Sequence, residues 1–283
     1  MLLRCAGRDL DLGTPVVMGV LNITPDSFSD GGRFDGFGAA MARAETMLAE
    51  GAAIIDVGGE STRPGADPVT VDEELRRVLP VVHALVDRGA RVSIDTSKPE
   101  VIRASLDVGA HMVNDVYALR RAGALEAAAA GQAAVCVMHM QGEPRGMQRE
   151  PTYGDVVAEV GTFLDSRVAA CEAAGIARDR LVIDPGFGFG KTLEHNLELL
   201  RGLSVLVGGG TASGRLPLLA GLSRKSMLGA ITGRPVESRL AGSLALAWAA
   251  LEGGARIIRC HDVAETVDVV KVWAALRRSG GHA

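Results

Sequence analysis

The chain has 283 residues, of which 47% are hydrophobic and only 4% aromatic, so its core is expected to be aliphatic and rich in alanine. This length fits one large domain or two small ones, and barrels of alternating strands and helices with about 250 residues favour a single domain over 1–283. The formal net charge of -4 argues against a broad nucleic-acid surface.

The amino-terminal segment MLLRCAGRDLDL is charged and lacks the apolar core of a signal peptide. No uninterrupted apolar run approaches the roughly 20 residues that a membrane-spanning helix needs. The 4 cysteines show neither the paired spacing of a zinc site nor a disulfide framework. These features predict a cytoplasmic protein with reduced thiols and with neither membrane nor nucleic-acid partners.

Short apolar segments rich in β-branched residues alternate with longer stretches of helical character. The predicted strands are 15–23, 53–59, 91–95, 111–116, 133–140, 181–186, 216–222 and 255–260. The predicted helices are 38–50, 71–88, 99–108, 120–130, 154–174, 193–202, 236–252 and 262–278. Eight such units predict an α/β fold with parallel strands and match the closure number of a single (β/α)8 TIM barrel. An open, doubly wound sheet is compatible with the same alternation.

Polar and charged side chains, with one methionine, gather where the predicted strands end. They are Asn22, Glu60, Thr62, Arg63, Asp95, Asn114, Asp115, Met138, His139, Asp184, Ser223, Arg224, Lys225, Arg259 and His261. The opposite strand ends carry mainly Pro, Arg, Gly and Ala. Because barrels of this type perform chemistry at the carboxyl ends of their strands, this asymmetry predicts an enzyme.

Each of these residues taken singly has a structural alternative. Asp95 could cap the following helix, Asp184 could stabilise an Asp-Pro turn, and Asn114 could satisfy backbone groups at a strand end. The sequence leaves each alternative open for one residue. A chance convergence of all three on one rim is a much weaker explanation.

The segment DPGFGFGKT, residues 184–192, ends like a phosphate-binding loop. Such a loop needs glycine five positions before its Gly-Lys pair, and Pro185 stands there without an N–H to offer. A dinucleotide fingerprint would need glycine in place of Lys191. We therefore expect the glycines to let a flat ligand approach the backbone beside Phe187 and Phe189, and Lys191 to pair locally.

Several longer motifs resemble the dihydropteroate synthase family. In family order they are MGVLNITPDSFSDGG (18–32), DVGGESTRPGA (56–66), SIDT (93–96), VND (113–115), MHMQGEPRGMQ (138–148), DPGFGFGK (184–191), GLSRKSMLG (221–229) and RCHDV (259–263). The resemblance implies a (β/α)8 barrel that condenses 6-hydroxymethyl-7,8-dihydropterin diphosphate with 4-aminobenzoate to 7,8-dihydropteroate. This is a step of folate biosynthesis, and the family is a target of sulfonamides.

The resemblance also implies which residues bind the pterin. Asp184 would accept two adjacent N–H donors of the ring, because a charged acceptor discriminates strongly for such a pair. Asn114 and Lys225 would supply further contacts with the ring, and Asp95 would lie near its reduced side. Met138 would be a further substrate-binding residue.

The implied mechanism is an SN1-like displacement in which diphosphate leaves first. Asp95 would stabilise the pterin cation, while Arg63, Arg259 and His261 would hold the leaving group. Asn22 would help to bind Mg2+ on the diphosphate, since magnesium takes few protein ligands beside phosphate oxygens. The implied catalytic residues are Asp95, Lys225, Arg259 and His261.

The second substrate, 4-aminobenzoate, would lie between the rim and the loops that follow the first two strands. The residues around it would be Phe28, Thr62, Pro64, Phe189, Ser223 and Lys225. The loops 24–36 and 61–70 are expected to be disordered in the free enzyme and to become ordered with magnesium and diphosphate, because the cation must be shielded from water.

The resemblance implies a homodimer as well. The segment 240–254 is apolar all round and is compatible with burying a second face between subunits. The same segment could be packed inside one subunit.

Three other functions compete with this interpretation. A pterin-binding methyltransferase domain expels no diphosphate and would not need Arg63, Arg259 and His261. An inactive barrel scaffold would usually have lost its rim charges, and all of them are present. A Schiff-base lyase would need a lysine of lowered pKa, for which Lys225 and Lys191 are the candidates.

Overall fold

The structure, a computed structural model, describes residues 1–23, 35–61, 67–143, 146–148, 150–208 and 216–277. The strands within these ranges are β1 (Leu2–Leu3), β2 (Leu10–Asp11), β3 (Val16–Asn22), β4 (Ile54–Gly58), β5 (Val92–Asp95), β6 (Met112–Asp115), β7 (Ala134–Met138), β8 (Leu181–Asp184), β9 (Leu219–Gly221) and β10 (Ile257–Cys260). The helices are α1 (Asp35–Ala49), α2 (Val71–Asp87), α3 (Pro99–Asp107), α4 (Ala124–Ala130), α5 (Val156–Ala173), α6 (Leu193–Arg201), α7 (Leu203–Val207), α8 (Ser226–Thr232), α9 (Leu240–Glu252) and α10 (Val263–Arg277).

Strands β3 to β10 form one parallel sheet in the order β8-β7-β6-β5-β4-β3-β10-β9. The sheet closes between β8 and β9, where Ile183 pairs with Leu218 in a single parallel bridge. The N–H of Ile183 also donates to the carbonyl of Pro217 at 3.0 Å. The predicted (β/α)8 barrel is confirmed, and an open sheet is excluded because the two ends of the strand order meet. The assignment of all of 1–283 to one domain stays a prediction.

Side chains along each strand alternate between the surrounding helices and the barrel interior. Ile55, Val113 and Ile183 belong to the main hydrophobic core, which the strands share with the helices. A second apolar cluster fills the interior near the amino-terminal strand ends, with Met18, Ile54, Met112, Ala134, Val182, Leu219 and Ile257. Two residues further along four of these strands, the same face carries Asp56, Asn114, Asp184 and Arg259. The interior therefore changes from apolar to charged toward the carboxyl ends.

The amino-terminal hairpin of β1 and β2 was not predicted. Its strands pair antiparallel, and its apolar residues join the interior cluster: Leu3, Cys5, Leu10 and Leu12. Arg91 fixes the hairpin by donating from Nε to the carbonyl of Arg8 at 2.9 Å and from Nη2 to that of Asp9 at 3.1 Å. The amino-terminal end of the barrel is thus filled, which leaves the carboxyl end for a ligand.

The eight predicted helices match observed helices, whereas the short helices α7 and α8 were not predicted. With 5 and 7 residues, these two segments are too short to show a helical repeat in the sequence. None of the described helices is long and apolar enough to cross a membrane.

Candidate active site

Arg259 of β10 joins two carboxylates from strands on the far side of β3. Its Nε donates to Oδ2 of Asp56 at 2.7 Å, and its Nη2 donates to Oδ2 of Asp95 at 2.7 Å. The Asp56 side chain is 0% exposed, and those of Asp95 and Arg259 are 11% and 22% exposed. The ion pairs therefore lie inside the barrel, where water screens them little.

Burial raises the pKa of Asp95 to about 7. Arg259 opposes this shift, while the carboxylates of Asp56, Asp115 and Glu74 add to it. Burial disfavours the charge on Arg259, yet Asp56 and Asp95 together raise its pKa above the ordinary value. Asp95 is therefore a carboxyl group whose charge changes near neutral pH.

Asn114 of β6 belongs to the same hydrogen-bonded group. It pairs in register with Asp95, and its Nδ2 donates to Oδ2 of Asp56 at 3.0 Å. Asn114 is buried, and its Nδ2 serves a side chain inside the barrel rather than a backbone group. Asp56 was not among the residues predicted from the sequence. The signal that could have identified it is a carboxylate inside the apolar strand AIIDVGG.

Asp184 ends β8 and is buried, and burial raises its pKa. Its Oδ1 accepts the N–H of Gly186 at 2.7 Å. The turn role that the sequence left open is therefore real, but it uses only one of the two carboxylate oxygens. Lys225, Arg259 and Lys191 each lower the pKa of Asp184 in part, which places three cations near this carboxyl group.

Lys225 follows β9, and its Nζ lies 4.2 Å from the centre of the Phe189 ring. Burial lowers its pKa to about 8; Arg259 adds to this effect, and Asp184 opposes it. Gly188 has a φ of +78°, and a Cβ there would lie 3.2 Å from Cδ of Lys225. The glycine thus lets the loop after β8 pass close to the lysine. The expected approach of a flat ligand to these glycines stays a prediction.

Lys191 pairs locally, as the sequence predicted. It is 3% exposed, and its Nζ donates to the carbonyls of Gly186 at 2.9 Å and Phe189 at 3.1 Å. The same Nζ lies 2.9 Å from Nδ1 of His139, whose pKa falls to about 3 through burial and the nearby lysine charge. A neutral His139 accepts the third hydrogen bond, so this lysine joins the loop after β8 to the end of β7.

Ser223 and His261 lie at the same rim, on the loops after β9 and β10. Oγ of Ser223 is 3.1 Å from Nδ1 of His261, and the backbone N–H of His261 donates to Oγ at 3.3 Å. Arg224, a rim residue in the sequence, instead forms an ion pair with Asp262. Met138 is 4% exposed and packs in a small cluster with Val116, Met140 and Met147, against which Phe189 also lies.

Asn22 ends β3 opposite Gly58 of β4. A Cβ on Gly58 would lie 3.7 Å from Oδ1 of Asn22 and 3.5 Å from Cβ of Asp95, so the two side chains share one corner of the rim. Within the ranges that the structure describes, no three acidic, histidine or cysteine side chains form a group suited to a metal ion.

Four predicted substrate residues fall outside the described part of the chain: Phe28, Thr62, Arg63 and Pro64. Most of the loops 24–36 and 61–70 lies there too, so their expected ordering stays a prediction. Glu60, just before this gap, and buried Glu74 both form ion pairs with Lys98. The strands thus bring together Asp95, Asn114, Asp184, Lys225 and Arg259, and Asp56 joins them.

A closed barrel whose charged side chains gather at the carboxyl ends of its strands has the architecture of a barrel enzyme. The family described as "Pterin binding enzyme" matches residues 18–261. The dihydropteroate synthase of Escherichia coli (strain K12) is 54% identical over 276 residues, which cover 97% of this chain and 96% of the relative. The chain belongs to the dihydropteroate synthase family, as its motifs predicted.

Solved structures agree with this assignment. A Yersinia pestis dihydropteroate synthase with a sulfonamide drug complex has a TM-score of 0.92 and 50% identity, covering 99% of this chain and 100% of that chain. A Xanthomonas albilineans dihydropteroate synthase with 4-aminobenzoic acid has a TM-score of 0.91 and 50% identity, covering 99% of each chain.

Proposed function

We propose that this chain condenses 6-hydroxymethyl-7,8-dihydropterin diphosphate with 4-aminobenzoate to 7,8-dihydropteroate and diphosphate, a step of folate biosynthesis. The observation that carries the proposal is the convergence of Asp184, Asn114, Lys225 and Arg259 on one end of a closed barrel in this family. The 4-aminobenzoic acid and the sulfonamide named with the related structures support the choice of second substrate and of inhibitor class.

The pterin is recognised by Asp184 together with Asn114, Met138 and Lys225. Asp184 presents a carboxylate oxygen in a buried setting, where a charged hydrogen bond is strong and a missing partner is costly. Lys225 places a cation nearby, which suits the ring carbonyl that lies next to the N–H edge. Met138 supplies an apolar wall for the flat ring.

The reaction breaks the bond between the pterin methylene and a diphosphate oxygen, and diphosphate keeps the electron pair. Arg259 and His261, with Arg63, hold the departing anion, while the Asp95 carboxylate stabilises the cation left on the pterin. The amine nitrogen of 4-aminobenzoate then bonds to the methylene carbon and loses a proton. The residues proposed to surround this second substrate are Phe28, Thr62, Pro64, Phe189, Ser223 and Lys225.

Magnesium is the proposed metal, held by the side-chain oxygen of Asn22 together with substrate diphosphate oxygens. An amide oxygen at the rim fits a hard cation, and the described residues offer no acid-rich group that would bind it without substrate. The ion neutralises charge on the leaving group when bound. We expect Asn22→Ala to raise the magnesium concentration needed for half-maximal rate, with no change in binding of 6-hydroxymethylpterin alone.

Burial lowers the pKa of both candidate lysines, to about 7 for Lys191 and about 8 for Lys225, as a Schiff-base lyase would need. The contacts of both ammonium groups nevertheless argue against that alternative. Nζ of Lys191 already makes three hydrogen bonds, and Nζ of Lys225 lies over the Phe189 ring. The methyltransferase alternative loses support because the Escherichia coli relative, matched over 96% of its length, is a dihydropteroate synthase. The scaffold alternative requires lost rim charges, and the charges are in place.

A homodimer in the cytoplasm is the proposed form. Exposed apolar side chains cluster on α8, α9 and the turn between them, at Ile231, Val236 and Leu240, and a second copy would cover them. All 4 cysteines are buried free thiols, which supports a reducing compartment. Sedimentation of Ile231→Glu/Leu240→Glu beside the natural protein tests the dimer, and an unchanged mass would place the interface elsewhere.

The decisive experiment incubates purified protein with the pterin diphosphate, magnesium and 4-aminobenzoate and measures 7,8-dihydropteroate. The natural protein should form the product, and omission of either substrate should abolish it. Asp179→Asn, at a surface ion pair with Arg4, serves as the neutral control. Absence of product from folded protein would contradict the proposed function.

A further inference from the structure

Asp56 is a fully buried carboxylate in the middle of an otherwise apolar strand. Burying a charge is unfavourable unless partners compensate it, so this residue needs an explanation that packing does not supply. Its Oδ2 accepts two hydrogen bonds, from Nε of Arg259 at 2.7 Å and from Nδ2 of Asn114 at 3.0 Å. Its Oδ1 is buried and has no hydrogen-bond partner among the described residues.

The bond to Arg259 fixes the guanidinium plane. Asp56 holds Nε and Asp95 holds Nη2, so the group is held at two different nitrogens and cannot rotate without breaking one contact. Guanidinium has five N–H donors, and these two bonds leave donors on Nη1 and Nη2 for a ligand. The orientation of those remaining donors is thus set by Asp56 and Asp95 together.

The bond to Asn114 fixes which end of the amide faces Asp56. The reverse orientation would bring the amide oxygen against a carboxylate oxygen, and two acceptors repel each other. Because Nδ2 must face Asp56, the amide oxygen is held on the other side of the group. A pterin ring therefore meets one hydrogen-bonding pattern at this position.

We propose that Asp56 is a positioning residue for the condensation, which sets the orientation of Arg259 and Asn114 together through one oxygen atom. This inference rests on the proposed function and adds a residue to it. Asp56 need not touch the substrate to act in this way. It acts through two side chains that do.

The same arrangement has an electrostatic consequence for Asp95. Removing the charge of Asp56 leaves Arg259 to pair with Asp95 alone and removes a repelling carboxylate, so Asp95 would ionise at lower pH. Charged groups on several elements act on Asp95 or are acted on by it: Arg259 on β10, Asp56 on β4, Asp115 on β6, Glu74 on α2 and Lys225 after β9. A role for Asp56 in packing alone, without a charge beside Arg259 and Asp95, would not move this ionisation.

The experiment compares Asp56→Ala and Asp56→Asn with the natural protein and with Ser93→Ala. Ser93 pairs in register with Asp56 and is buried, and its hydroxyl is uncharged, which makes it a matched control. Asp56→Ala should lower kcat about 100-fold, since small displacements of positioning groups have effects of this size. Asp56→Asn keeps an acceptor oxygen and should recover at least about a tenth of the natural kcat.

Both Asp56 variants should move the low-pH limb of the kcat profile down by about one pH unit, and Ser93→Ala should leave it in place. A limb that stays in place in both variants, or a natural kcat in Asp56→Ala, would overturn the proposal. If Asp56→Ala does not fold, the low-pH limb of Asp56→Asn decides alone.

If the natural protein forms no dihydropteroate, the proposed function fails, and calorimetry with 6-hydroxymethylpterin decides the role of Asp56. The positioning role is supported if Asp56→Ala weakens binding of 6-hydroxymethylpterin at least about tenfold and Asp56→Asn does not. Equal affinities of the two variants and the natural protein overturn it.

Discussion

Nζ of Lys225 lies over the face of the Phe189 ring, 4.2 Å from its centre, so the loop after β9 and the loop after β8 meet at the closure of the barrel. The contact combines a cation with the negative face of an aromatic ring, at a place where burial already disfavours the charge. It joins a residue proposed for the pterin to one proposed for 4-aminobenzoate.

Phe189→Leu should remove this ring face while keeping an apolar side chain. The interaction is worth about 1 kcal/mol, so KM for 4-aminobenzoate should rise about fivefold, with a smaller change for the pterin diphosphate. Steady-state kinetics with each substrate varied in turn measures both values. Phe37→Leu, at an exposed position, is the control, and equal changes in both KM values would contradict the assignment of Phe189.

Asp184→Asn should weaken pterin binding without lowering the stability of the fold. Affinity for 6-hydroxymethylpterin should fall by about 2 kcal/mol, because one amide group cannot accept both ring N–H bonds. The amide oxygen can still accept the N–H of Gly186, and a buried charge disappears, so the unfolding midpoint at pH 8 should not decrease. Calorimetry measures the pterin affinity, and urea unfolding measures the unfolding midpoint. Unchanged pterin affinity would remove Asp184 from the site.

Lys191→Met should loosen the loop after β8 without touching the ligand. Three buried acceptors lose their donor, which should lower the free energy of unfolding by about 2 kcal/mol. Because Phe189 is carried by that loop, KM for 4-aminobenzoate should rise as well. The exposed Lys271→Met is the control, and a loss of stability equal to that of the control would show that the three bonds contribute little.

The free energy of unfolding should depend on pH through Asp95 and Asp115. Burial raises their pKa to about 7 and about 6, whereas an unfolded aspartate has a pKa of about 3.9. The folded state therefore binds more protons, so this contribution is complete below about pH 4 and is lost as pH rises through about 6 and about 7. Urea unfolding between these limits should show a shallower decline for Asp95→Asn, and identical slopes would contradict the raised pKa.

The catalytic rate constant should change with pH in the direction opposite to the free energy of unfolding. Asp95 must be charged to stabilise a cation, so kcat should rise with pH through about 7. This opposition predicts that the enzyme gains activity over the same range in which the free protein loses part of its stability. Parallel pH profiles of kcat and of unfolding, recorded in one buffer series, measure both trends.

The sequence by itself determined the alternation of strands and helices and the end of the barrel at which chemistry occurs. Short apolar runs rich in β-branched residues and the 3.6-residue helical repeat are local properties, so the eight units could be predicted from composition and spacing. The mismatch between DPGFGFGKT and a phosphate-binding loop could also be recognised from the local sequence, because Pro185 has no N–H in any fold. The rim positions of Asp95, Asn114, Asp184 and Arg259 followed from the strand ends.

Only the tertiary structure decided which of these groups touch. Arg259 and Asp56 are 203 residues apart along the chain, and they meet because β10 and β4 both pair with β3. Strand register fixes that meeting, and register depends on closure of the whole sheet rather than on any local pattern. The amino-terminal hairpin could not be predicted for the same reason. Its short strands are stabilised by apolar side chains that fill the barrel interior, and this interior exists only in the folded sheet.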